Sequence, residues 1–143
     1  MDKRELRQGT ANNSRAQRDS INPTEAQEQE WLFQWATAMS VVRWPELKLM
    51  FHVPNGGSRN RIEAARLKAQ GVKPGVPDIF LPVARKGCHG LFIELKRLVG
   101  GKVSPEQEKM LGELNRQGFM AVVCKGWNAA ADAIEDYMGG SRE

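Results

Sequence analysis

Cysteine and histidine are scarce in this chain, two of each among 143 residues. Cys88 and Cys124 lie far apart without CxxC spacing, and His89 beside Cys88 completes no four-ligand pattern, which argues against structural zinc. The pair reads as two buried thiols of a reducing compartment, with a disulfide as the alternative. Long apolar runs are also missing. No stretch approaches the roughly 20 residues that span a bilayer, and the N-terminus has no signal-peptide core. A soluble, cytoplasmic protein with no membrane partner is expected. No Ser-His-Asp or Cys-His arrangement is legible. Gly100-Gly101-Lys102 is not a Walker A loop, because position 96 is lysine and position 103 is valine.

What is present is ordinary in amount and informative in arrangement. Lysine and arginine total 21 against 17 acidic residues, an excess compatible with a polyanionic partner. With 41% apolar residues the chain is long enough for one domain with a proper core. Residues 1–22 are polar and too poor in aliphatics to offset their ordering entropy, so a flexible tail is expected there, followed by a domain over 23–140.

Helix signals begin at Asn22-Pro23-Thr24-Glu25, with Asn22 or Thr24 as the cap, and the helix runs to about Ser40. Glu25, Gln29, Leu32, Ala36 and Met39 form its stripe, in which the first polar groups read equally as dipole-favoured acids of a first turn. A strand over Leu47 to Val53 closes at Pro54-Asn55-Gly56-Gly57, a tight turn or a phosphate cradle of backbone amides. A helix from Ser58 to about Gln70 follows, with Ile62, Ala65 and Ala69 as its apolar stripe, flanked by Arg59 and Arg66 on one side and Arg61 and Lys68 on the other. His52 reads as a packed strand residue.

Strands from Asp78 to Val83 and Gly90 to Arg97 flank a turn at Arg85-Lys86-Gly87. Ser104-Pro105-Glu106-Gln107 is a capping box with proline at the first helical position. That helix ends near Gln117. Phe119 to Cys124 reads as a buried strand, and Ala130, Ala133, Ile134, Tyr137 and Met138 give a last helix its apolar face. The order αβαββαβα predicts an α/β domain, a four-stranded mixed sheet flanked by helices.

A hairpin centred near Lys86 sets Asp78 opposite Glu94, and Lys96 leaves the sheet on the same face as Glu94. Two acids and a lysine at one spot are what metal-dependent phosphodiester hydrolysis needs. Asp78 and Glu94 are the natural ligands of a hard cation such as Mg²⁺ or Mn²⁺, with the Leu95 carbonyl as a third oxygen. Lys96 orients or deprotonates water, or neutralises charge on the phosphate. Phe92 shares that face and helps dry it. Gln107 points toward the sheet, either holding the lysine or a water, or closing the capping box with Ser104.

Several blocks in order resemble a VRR-NUC domain: Pro54-Asn55-Gly56-Gly57-Ser58-Arg59, Ala65 to Asp78 ending Lys73-Pro74-Gly75-Val76-Pro77-Asp78, His89-Gly90-Leu91-Phe92-Ile93-Glu94-Leu95-Lys96, and Gly101-Lys102-Val103-Ser104-Pro105-Glu106-Gln107. The resemblance covers roughly Thr24 to Met138, with Cys88 standing where an aromatic residue is expected. It implies a restriction-endonuclease-like PD-(D/E)xK core acting on DNA with Mg²⁺ or Mn²⁺. Asp78 and Glu94 fall on the family's metal-binding acids, Lys96 on its lysine, and Glu25 on its first-helix glutamate, chosen over Glu28 and Glu30 for its four-residue step to Gln29. Gln29, Asn55 and Gln107 match further family positions. Asn55, Arg59, Arg66 and Lys68 are the candidate DNA contacts. The chain is similar to standalone members of phages and prophages, which resemble Holliday-junction resolvases and pair as homodimers. A structure-selective endonuclease for branched DNA is therefore expected. The competing readings are a non-catalytic DNA-binding protein on a nuclease fold and a monomeric nickase or exonuclease.

Overall fold

A computed structural model describes residues 22–54 and 60–139. The expected N-terminal tail, the Asn55-Gly56-Gly57-Ser58 turn and Arg59 lie outside the described residues. Helix α1 (Glu25–Val42) leads through a short 3-10 helix (Pro45–Leu49) to β1 (Phe51–His52) and α2 (Arg61–Ala69). Strands β2 (Ile79–Leu81) and β3 (Leu91–Lys96), helix α3 (Pro105–Arg116), β4 (Met120–Lys125) and α4 (Trp127–Met138) complete the chain. The sheet order is β1-β2-β3-β4, antiparallel in the first two pairs and parallel between β3 and β4. The mixed four-stranded sheet agrees with the sequence reading.

Alternation along β2 and β3 decides the layers. Ile79, Leu81, Leu91, Ile93 and Leu95 are buried with Leu32, Ala36, Ala130, Ile134 and Tyr137, so α1 and α4 cover one face. Tyr137 ties the last helix to the hairpin, its hydroxyl donating to the Val83 carbonyl and accepting from the Arg85 N–H. Cys124 packs in this core, where burial pushes its thiol up to about 11, and both cysteines are free. Cys88 is only half-buried, against the expectation of two buried thiols, because it sits in the hairpin turn.

The other face carries Phe80, Phe92, Glu94 and Lys96, and α3 lies over it. Both halves of the α3 capping box are made: Ser104 Oγ accepts from the Gln107 N–H, and Gln107 Oε1 accepts from the Ser104 N–H. Asn115 then seals the free edge of β4, donating to the Ala121 carbonyl and accepting from its N–H, both at 3.0 Å. The expectation of a buried β4 holds for Ala121 and Cys124 only, since as an edge strand it leaves Val123 38% exposed.

Other expectations change as well. Thr24, rather than Asn22, caps α1 by accepting from the Gln27 N–H at 3.1 Å, and the helix continues to Val42. The strand expected over Leu47 to Val53 shrinks to Phe51–His52. Trp44, Leu47 and Met50 are all buried, a spacing of three that suits a 3-10 turn started by Pro45 and not an alternating strand. Helix α2 begins at Arg61 behind Asn60, whose side chain accepts from the Glu63 N–H at 2.8 Å. Its expected apolar stripe buries nothing: Ile62 is 84% exposed, and Ala65 and Ala69 face solvent.

Candidate active site

The hairpin register places the first two acids. Ile79 pairs with Ile93, so the next step sets Asp78 against Glu94, as a turn centred on Lys86 requires. Asp78 Oδ2 accepts from the Leu95 N–H at 2.9 Å, which ties one oxygen to β3. The Asp78 carbonyl is held in turn by the Val53 N–H at 2.7 Å and by His52 Nδ1 at 2.8 Å. His52 was expected to be packed. It is exposed instead, because β1 is a two-residue edge strand, and its ring donates across to the Asp78 carbonyl just before β2.

Glu94 is 1% exposed, and its two oxygens differ sharply. Oε1 accepts from Gln107 Nε2 at 2.9 Å and lies 3.4 Å from Lys96 Nζ. Oε2 is buried with no hydrogen-bond partner. Gln107 therefore closes the cap with its amide oxygen, as one of the two sequence readings has it, while its amide nitrogen grips Glu94 and not Lys96. Loop residue Gly75 lets this happen: at φ +83° its bare Cα lies against the Glu106 backbone, where any Cβ would overlap the carbonyl.

Helix α1 brings the third acid. One carboxylate oxygen each from Glu25, Asp78 and Glu94 lies within 4.8 Å of the other two. Glu28 points elsewhere, its Oε2 accepting from the Trp127 N–H at 2.6 Å, and Glu30 is exposed. The geometry thus brings Glu25, Asp78, Glu94, Lys96 and Gln107 together. Arg66 and Lys68 stand apart on exposed α2, and Asn55 and Arg59 lie outside the described residues. Gln29 is half-buried on α1.

Electrostatics follow from this crowding. Burial, then repulsion from Asp78, raises the Glu94 carboxyl to about 8 despite the opposing pull of Lys96. Glu25 is also raised, by burial first and Asp78 second, against Lys96 and Arg97. Phe92 stacks on Phe80 at 4.2 Å and meets Phe119 edge-on at 5.3 Å, giving the same sheet face a dry floor. Three crowded carboxyl groups whose charges would repel one another, one ending in a buried oxygen without a partner, suit a divalent cation, which would supply that partner and offset the repulsion.

The VRR-NUC domain model matches residues 15–128. The chain belongs to the VRR-NUC domain family. A solved structure named "VRR_NUC domain protein" shares 31% identity with this VRR-NUC chain at a TM-score of 0.71, covering 82% of it and 91% of the other chain. No curated protein matches significantly. Family membership implies a nuclease acting on DNA, and no helix among the described residues is long and apolar enough to cross a membrane. Glu28 is the contact sequence reasoning missed. Its partner lies 99 residues away, and three or four residues along a helix look alike in a periodic pattern.

Proposed function

We propose that this VRR-NUC protein is a metal-dependent, structure-selective DNA endonuclease that cuts branched DNA such as Holliday junctions as a cytoplasmic homodimer. The observation that carries this is the Glu25–Asp78–Glu94 triangle with its unpartnered Glu94 oxygen. These carboxylates would hold Mg²⁺ or Mn²⁺, with the Leu95 carbonyl available as a neutral fourth oxygen. When bound, the cation would supply charge neutralisation at the phosphate and a water more acidic than bulk water.

The remaining residues have separate tasks. Lys96, 8% exposed beside Glu94, presents fixed positive charge to the phosphate as negative charge builds there. Gln107 keeps Glu94 Oε1 engaged, so that Oε2 is the oxygen left to bind. Arg66 and Lys68, on a helix that buries nothing, face the DNA backbone and supply salt-sensitive affinity. Trp31, Trp35 and Trp127 line a surface groove of about 440 Å³ available to a second copy.

Purified protein should cut four-way junctions faster than flaps, splayed arms or plain duplex, in Mg²⁺ or Mn²⁺ and not in EDTA. Asp78→Asn should abolish cutting while junction binding persists. Binding without cleavage of any substrate in either metal would instead identify a non-catalytic DNA-binding protein. Light scattering, together with nicked or doubly cut circular products, distinguishes a dimer from a monomeric nickase.

A further inference from the structure

We propose that Glu28 is a positioning residue of the carboxylate site: it bolts the first turn of α1 to the start of α4, and so holds Glu25 against Asp78 and Glu94. The inference rests on the metal-site reading above and assigns Glu28 no contact with metal or DNA.

Among the described residues, Glu28 and Glu94 are the two buried acids, each 1% exposed. Glu94 belongs to the site. Glu28 Oε2 accepts from the Trp127 N–H at 2.6 Å, the first N–H of α4, where the helix dipole favours an anion. Helix α4 has no side-chain cap of its own, because its cap residue is Gly126. Glu28 therefore caps α4 from another helix.

Gly126 connects this bond to the catalytic strand. Its N–H donates to the Lys96 carbonyl at 2.8 Å, fixing the end of β3. A Cβ at Gly126 would press on Leu98 at 3.0 Å and lie 3.6 Å from Glu28 Oε2. The bare backbone thus lets Glu28, Gly126 and the end of β3 converge. A short path results: Glu25 and Glu28 share the first turn of α1, Glu28 grips Trp127, and Gly126 grips Lys96. First turns fray readily, since their N–H groups have no partners within the helix. Glu25 sits in that turn, so its reach toward the acid pair depends on what anchors the turn.

The test is Mn²⁺ affinity, measured by titration calorimetry without DNA, in wild type, Glu28→Gln, Glu28→Asp and Glu28→Leu, each with and without Glu25→Gln. Glutamine keeps an acceptor oxygen at the same reach, so Glu28→Gln should stay within about twofold of wild type. Leucine removes the bolt and aspartate shortens it. Affinity should fall about tenfold or more in Glu28→Leu, in the range seen for supporting residues of metal ligands. Glu28→Asp should fall less and decides the matter if Glu28→Leu does not fold. In the Glu25→Gln background neither change should weaken binding further, because the ligand being positioned is already gone.

Wild-type affinity in both variants, or an equal loss with Glu25 already replaced, overturns the positioning role. It would leave Glu28 as a helix cap that serves stability alone. A wild type that binds no Mn²⁺ refutes the metal site itself, and this role with it.

Discussion

Replacing Glu94 by glutamine removes the group whose ionisation most opposes the folded state of the metal-free protein. Folded, the Glu94 carboxyl keeps its proton up to about 8; unfolded, it releases it near 4.5. Between those values the folded state binds a proton that the unfolded chain does not. This contribution is therefore fully present below pH 4.5 and is lost as pH rises through 8. The steepest loss is about 1.4 kcal/mol per pH unit, and the whole window amounts to something on the order of 5 kcal/mol at most. A divalent cation competes with that proton, so its stabilisation should grow as pH rises, reaching about 2.7 kcal/mol at a hundredfold excess over Kd. Urea unfolding across this window, in EDTA and in saturating Mg²⁺, reads both effects. The wild type should lose stability with pH in EDTA and recover it in Mg²⁺, while Glu94→Gln should show a flatter profile and little response to Mg²⁺. The reasoning is wrong if the two proteins share the same slope in EDTA, for then Glu94 is charged in the folded state across the window.

Gly75→Ala should destabilise the fold by about 2–4 kcal/mol in chemical denaturation, because a left-handed backbone and the Glu106 carbonyl both exclude a Cβ. It should also slow cutting by shifting Gln107 away from Glu94. Asn115→Ala strips both partners from the Ala121 backbone, which predicts a loss of about 1–2 kcal/mol with junction binding unchanged. Arg66→Ala and Lys68→Ala should each lower the slope of log affinity against log salt by roughly 0.9 in fluorescence anisotropy, with cleavage at saturating DNA preserved. An unchanged slope would remove α2 from the DNA surface.

Local chemistry was the legible part of this fold. The α3 capping box and the hairpin centre at Lys86 are written in neighbouring residues, and both appear as read. The acid pair follows from the hairpin, since antiparallel register fixes which residues face each other. Non-local outcomes were harder. Glu25 was chosen over Glu28 by spacing to Gln29, yet their difference in role depends on a bond to Trp127 that no local pattern encodes. The strand expected at Leu47 to Val53 mistook a period of three for alternation. Ile62, Ala65 and Ala69 form a genuine stripe, but a stripe shows only that burial is possible, and among the described residues nothing buries it. His52 gave no sequence signal of its contact with the Asp78 carbonyl.

The β2–β3 hairpin also bears on the order in which a newly made molecule matures. Asp78 and Glu94 meet by closing a short loop, an event of microseconds that needs no other part of the chain. Glu25 leaves the ribosome long before either of them and must wait for a docking surface that includes Trp127, 99 residues beyond Glu28. Glu25 thus joins the acid cluster late, and a nascent polypeptide in which only Asp78 and Glu94 have met lacks the third carboxylate until α4 is made.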